Sequence, residues 1–379
     1  MKRQMFSALA VAGALAAATA SAQVTIGISL GTTGSGSSLG IPYKNAFQLV
    51  PSTLGGEPVK YIILDDESKP DSAAKNARKF VTEDKVDAIM GSVGVPSTVA
   101  MIAVAQESKT PLISLTPLPP LTPERLRWTF IVPQSADLMM SAIADHMKAH
   151  GIKTAGYIGY SDTWGDLVYN ATAALAPSHG YRLVTNERFA RADTSVTGQA
   201  LKVLATNPDA VVVGASGSPA ATPHLALVER GYKGPIYHSP GTVNLAFIQT
   251  GKKAVEGAIS TTGPLIVAEE LPDDFPTKAV SLDFVKRYEA AFGPGSRNAF
   301  AGYSFDGVRL LEAAVPVALK KAKPGTPEFR EALREALEHV RNVIGTHGVY
   351  NLTPTDHNGL DERARVMVRV ENGAWRLLK

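Results

Sequence analysis

Two α/β lobes, each a parallel sheet flanked by helices and joined by a hinge that the chain crosses several times, are predicted by three observations. The chain has 379 residues, more than one hydrophobic core commonly serves. Strand-like and helix-like patterns alternate along most of its length, as in a parallel sheet with helices on both faces. The alternation then halts at a proline-rich stretch and starts again, as two Rossmann-like halves of related build would. With 45% hydrophobic and 19% charged residues, the composition is that of an ordinary globular protein.

The elements follow in order. Val24–Leu30 is β-rich, and Ile41–Leu54 has helical spacing. Tyr61–Leu64 is a strand that runs into Asp65-Asp66-Glu67, and Asp71–Asp84 is a helix with an aspartate cap at its start. Ala88–Gly91 is a short buried strand, Ser97–Ser108 a helix and Pro111–Leu115 the next strand. Thr116–Pro123 carries four prolines, and the strand Trp128–Val132 leads into a first crossover. The rhythm restarts with helix Asp137–His150, strand Thr154–Tyr160 and helix Trp164–Ala176. Strand Arg182–Phe189, helix Val196–Ala205 and the very apolar strand Ala210–Gly214 come next, then helix Pro219–Arg230 and strand Pro235–His238. Beyond Gly263 lie the long helices Phe275–Phe292, Ala299–Lys320 and Pro327–Val340, and the tail holds strands Val349–Leu352 and Arg365–Val370. Late segments must complete both lobes. The expected division is 23–134 with 264–345 for the first and 135–263 with 346–379 for the second. Such a multi-crossover hinge suits ligand-driven closure.

The residues ahead of the first strand read as a secretory signal. Lys2 and Arg3 precede the apolar, alanine-rich Phe6–Ala18, and Ala20-Ser21-Ala22 is a small-x-small cleavage site, so the mature chain is expected to begin at Gln23. The apolar run is short for a membrane anchor. There is no cysteine, hence no disulfide, no thiolate metal site and no lipid-bearing cysteine behind the signal. The formal charge falls from +3 to +1 once Lys2 and Arg3 are removed. No basic cluster is interleaved with aromatics, so nucleic acid is not an expected partner.

In parallel α/β sheets, ligands bind beyond the carboxyl ends of the strands. Those ends read Gly31–Ser38, Ser92–Thr98 and Ser114-Leu115-Thr116 in the first half, and Gly159–Asp162, Gly214–Ser218 and Ser239–Thr242 in the second. Any one such loop is explained as a turn or a cap. Six together point to a site whose hydroxyls and backbone N–H groups suit a carboxylate.

Enzymatic patterns are incomplete. Gly36-Ser37-Ser38-Leu39-Gly40 matches G-x-S-x-G, which makes an exported hydrolase using Ser38 the runner-up class; yet the loop is long and glycine-padded, where a nucleophile elbow is a tight turn. Leu39 stands at the third glycine of a dinucleotide fingerprint, and there is no G-K-[ST] phosphate loop. His146 and His150 have metal-ligand spacing, but no glutamate follows His146 and no third ligand is evident. Neither a cofactor nor a metal is expected.

These strand ends, in this order behind a secretory signal, resemble the branched-chain-amino-acid-binding family of periplasmic proteins. The most specific stretch is Tyr61–Thr116, with the family's D-D-x-x-x-P-x-x-A pattern from Asp65, its G-x-x-x-x-x-S/T loop from Gly91 and its P-x-I-S segment from Pro111. Tyr157–Asp166 matches the strand and aromatic-Gly turn of the second lobe, Ala299–Val315 a late helix and Thr346–Asp361 a return segment. The resemblance implies the type I periplasmic binding fold, location in the periplasm and a monomer that serves the permease of an ABC transporter. A sensor receptor in the permease's place is equally compatible. It also implies a ligand held between Val95, Ser97, Thr98, Leu115 and Thr116 of the first lobe and Trp164, Ser216, Ser239, Pro240 and Gly241 of the second. Ser97, Thr98 and Thr116 would grip a carboxylate, Trp164 would pack on the ligand, and Tyr160 or His238 would bond a ring hydroxyl.

One departure bears on the ligand. Amino-acid binders of the family pair the α-ammonium with a glutamate in an E-G-x-G-N turn. The matching turn here is Ser239-Pro240-Gly241-Thr242-Val243-Asn244, with Pro240 in the glutamate's place. A buried ammonium without a counter-charge is costly. The expected ligand is therefore a small carboxylate without an α-amino group, an aromatic acid before a short aliphatic one. An amino acid held through Asp162 or Glu67 is the alternative.

Overall fold

The computed structural model describes residues 23–378. The secretory signal expected over residues 1–22 lies outside the described residues. Strands β1 (Val24–Leu30), β2 (Thr53–Leu54), β3 (Glu57–Asp65), β4 (Ala88–Gly91), β5 (Leu112–Ser114) and β6 (Thr129–Ile131) form one sheet in the order β2-β3-β1-β4-β5-β6. All its pairs are parallel except β2–β3. Register follows from burial on both faces. Val24, Ile26, Ile28 and Leu30 point into one core with the helix Ala299–Leu319. On the other face Gly27 lies under the Phe80 ring, where a Cβ would overlap it. A strand covered on both sides needs a nearly continuous apolar run, which β1 supplies.

The second sheet contains β7 (Thr154–Tyr160), β8 (Arg182–Leu183), β9 (Glu187–Phe189), β10 (Ala210–Gly214), β11 (Ile236–His238) and β12 (Ile259–Thr262). A separate hairpin, β13 (Val343–Ile344) with β14 (Val349–Tyr350), precedes β15 (Val366–Glu371) and β16 (Ala374–Leu377), which return to the second sheet. Its order is β16-β15-β12-β11-β10-β7-β8, with β9 also paired to β7. Two α/β lobes result, and no helix among the described residues is long and apolar enough to cross a membrane.

Several local expectations change. The helix expected over Ile41–Leu54 is Ser37–Ala46, because Gly55 and Gly56, with φ of +60° and +89°, reverse the chain and draw Thr53–Leu54 into an antiparallel pair with β3. Asp71 is not a cap. The helix Pro70–Thr82 starts on Pro70 after Lys69, without a side-chain cap, and Asp71 sits in its first turn, where its charge suits the helix end. The expected strand Arg182–Phe189 is two short ones. Strands β12, β13 and β16 have no counterpart among the strands expected from the sequence. The β15–β16 turn is Asn372-Gly373, both at positive φ, which is the two-residue hairpin chemistry.

A buried carboxylate ties the late helix to the β13–β14 turn. Asp306, on the helix Ala299–Leu319, accepts hydrogen bonds from the Thr346 and His347 N–H groups in the turn between β13 and β14 and from the Tyr350 hydroxyl at 3.1 Å. That hydroxyl also lies 3.1 Å from the carbonyl of Val132, the residue after β6.

Candidate ligand-binding site

Loops after β1, β4 and β5 and after β7, β10 and β11 line one cleft. Its volume is about 550 Å³, the open space at its mouth included. Of the residues expected from the sequence, Val95, Leu115 and Thr116 line it from the first lobe, and Trp164, Ser216, Pro240 and Gly241 from the second. Val95 opens the helix Val95–Ser108, so a helix N-terminus faces the cleft. The Tyr43 hydroxyl, also in the wall, donates to the Leu115 carbonyl and fixes that loop. Gln134, just after β6, and Phe300 and Tyr303, from the late helix, form one side of the wall, with the Tyr303 hydroxyl donating to Gln134 Oε1 at 2.8 Å.

The other five expected residues lie outside the wall. Ser97 is buried, and the Thr98 hydroxyl accepts from the Ser92 N–H at 2.7 Å while lying 3.2 Å from the Gly94 carbonyl, so it serves its own loop. The Tyr160 hydroxyl donates to the Ser216 carbonyl at 2.8 Å, and that of Ser239 to the Ala215 carbonyl at 2.6 Å. His238 is fully buried with its Nε2 2.9 Å from Nδ1 of His224. Burial lowers the His224 imidazole to about 4 and drives His238 well below the usual histidine range, so both are neutral at pH 7.

Arg191 was not anticipated, and it is the one charged side chain in the wall among the described residues. It follows β9 in Ala190-Arg191-Ala192, a strand end without the serine and glycine pattern of the others. Its Nε donates to Asp162 Oδ2 at 2.5 Å, its Nη1 to Ser216 Oγ at 3.2 Å, and its guanidinium lies 4.2 Å from the centre of the Tyr160 ring. Asp162 in turn caps the helix Thr163–His179, accepting from the Trp164 and Gly165 N–H groups through Oδ1. Trp164 stands in the wall at 5% exposure, with a buried indole N–H that has no partner. Glu67 is away from the cleft and paired with Lys69.

Among the described residues no base is hydrogen-bonded to Ser38. Its Oγ accepts from the Ser218 N–H at 3.3 Å, and none of the histidines hydrogen-bonds to it. His146 and His150 stack with ring centres 3.9 Å apart, and His146 Nδ1 meets the Tyr237 hydroxyl at 2.8 Å. Among the described residues no group of three or more histidine, aspartate or glutamate side chains is placed to hold a metal ion.

A family model described as periplasmic binding protein matches residues 23–374. The crystal structure of an extracellular ligand-binding receptor from Rhodopseudomonas palustris HaA2 is similar at 48% identity and a TM-score of 0.92, covering 94% of this chain and 100% of that one. A protein called amino acid binding protein from Pseudomonas aeruginosa is 26% identical over 305 residues, 77% of this chain and 78% of its own. An ABC transporter solute-binding protein from R. palustris, solved in complex with benzoate, shares the fold at 19% identity and a TM-score of 0.79, over 94% of this chain and 95% of that one.

Proposed function

The chain belongs to the periplasmic binding protein family, and on that premise we propose that it is the solute-binding protein of an ABC transporter, exported to the periplasm, that captures a small carboxylate, an aromatic acid, by lobe closure. Residues 23–134 with 264–345 would move against 135–263 with 346–379. The cleft would close on the ligand without covalent chemistry, and the closed form would dock on the permease as a monomer.

The observation that carries the ligand class is the charge of the wall. It holds one cation, Arg191, and no carboxylate among the described residues. An α-amino acid would bring an ammonium with no counter-charge there, since Asp162 is paired with Arg191 and Glu67 with Lys69. Trp164, Tyr43, Phe300 and Tyr303 offer flat apolar surfaces that suit an aromatic ring.

A thermal-shift panel of benzoate, 4-hydroxybenzoate, succinate, leucine and valine tests this. A ligand at about 100 times its Kd adds about 2.7 kcal/mol to the stability of the native state. The aromatic acids should shift the transition and the amino acids should not. A shift with leucine or valine and none with the aromatic acids would overturn the reading in favour of the amino-acid alternative.

A further inference from the structure

We propose that Arg191 is the counter-ion of the ligand carboxylate and that Asp162 is the residue that positions it, so that recognition of an acid is a property of the second lobe. This rests on the carboxylate reading above. The Arg191 side chain is 24% exposed and held from three sides, by Asp162, by Ser216 and by the face of Tyr160. Two of its N–H groups are engaged, and the remaining three have no hydrogen bond among the described residues. A guanidinium fixed in this way presents a planar fork to a carboxylate and loses little freedom on binding.

Asp162 does not stand as a bare opposing charge. It sits at the N-terminus of a 17-residue helix and receives two of its N–H groups, where the helix end stabilises a carboxylate. The same turn carries Trp164, whose buried, unpartnered indole N–H is a second donor on a side chain of the wall. In the first lobe, by contrast, the Thr98 hydroxyl is engaged and Ser97 is outside the wall, so of the three expected hydroxyls Thr116 alone lines the cleft, beside the uncharged N–H groups that open the helix Val95–Ser108. The carboxylate is thereby assigned to the lobe opposite the one that the family resemblance implies.

Titration calorimetry at pH 7 with benzoate, 4-hydroxybenzoate and phenylacetate, each beside its uncharged amide, tests the assignment on the full mature chain. Arg191→Met should weaken the acids by about 100-fold or more, the scale of removing one partner of a buried charge pair, and leave the amides nearly unchanged. Asp162→Asn keeps an acceptor for the helix cap and should weaken the acids alone, by about tenfold. Circular dichroism checks that each variant is folded; if Arg191→Met is not, Arg191→Lys retains the charge without the fork and should still weaken acids more than amides. Unchanged acid binding by a folded Arg191 variant overturns this assignment and leaves the carboxylate reading standing. Equal loss of acids and amides marks a merely structural role and also overturns it. A wild-type protein that binds none of the acids overturns both.

Discussion

The Ser218 N–H donates to Ser38 Oγ at 3.3 Å, joining the second lobe to the first. The turn that presents Ser218 has Gly217 at φ +67°, and a Cβ there would lie 2.8 Å from the Ser38 oxygen. The serine that a motif search singles out as a nucleophile thus accepts a bond between lobes. Ser38→Ala should remove a contact between the lobes worth about 0.5–1.5 kcal/mol and, if the lobes close on the ligand as proposed, raise its Kd by roughly 2- to 10-fold. Small-angle scattering should still show the radius of gyration falling at saturating ligand, in wild type and variant alike. Ester hydrolysis by the wild type that vanishes in the variant would restore the hydrolase reading.

Trp164→Leu should remove the aromatic wall while keeping apolar bulk. Stacking contributes about 0.5–1.5 kcal/mol beyond area burial, so Kd for an aromatic acid should rise roughly 2- to 10-fold. A short aliphatic acid should be affected less. Equal losses for both, measured by calorimetry, would place Trp164 outside the ring contact.

Gly165→Ala should damage stability and binding together. A Cβ there falls on the Tyr160 carbonyl oxygen, so the helix bearing Trp164 and capped by Asp162 must shift. Overpacking of this kind costs about 1–3 kcal/mol. Gly198→Ala, in open space within the helix Thr197–Ala205, is the control and should be neutral or slightly stabilising. Chemical unfolding of both variants checks the contrast.

Asp306→Asn should change how stability depends on pH. Burial raises the Asp306 carboxyl from its ordinary 3.8 to about 6. Between those values the native state holds a proton that the unfolded chain releases. The stability this provides is full below about pH 3.8 and is lost as pH rises through about 6. The margin of wild type over the variant should therefore widen as pH falls from 7 to 4, read by urea unfolding at several pH values. The amide also sets an NH₂ against a backbone N–H that the carboxylate now accepts, at about 1–3 kcal/mol. A margin that does not move with pH would mean the carboxyl is not shifted.

Much of the scaffold was legible because central strands of a parallel sheet announce themselves. Val24–Leu30, Ala88–Gly91, Thr154–Tyr160 and Ala210–Gly214 have in the structure the bounds their apolar runs predict, since both faces are buried. Peripheral pieces were harder. Ile259–Thr262 is four residues, three of them hydroxyl-bearing, so it lacks the apolar run of a central strand, and β16 owes its place to pairing with β15.

The chain's own order of residues determined the two-lobe α/β architecture and the loops that meet at the strand ends, because both are carried by local pattern and spacing. Only the tertiary structure decided which polar groups are free. Thr98, Tyr160 and Ser239 have the hydroxyls a ligand needs, but each bonds to backbone within its own lobe. Arg191, in a loop with no motif, becomes the charge of the cleft because Asp162, Ser216 and Tyr160, which lie 29, 25 and 31 positions away along the chain, converge on it. Hydrogen-bonding capacity is a property of a residue type, whereas its availability depends on every neighbour that folding brings within about 3 Å.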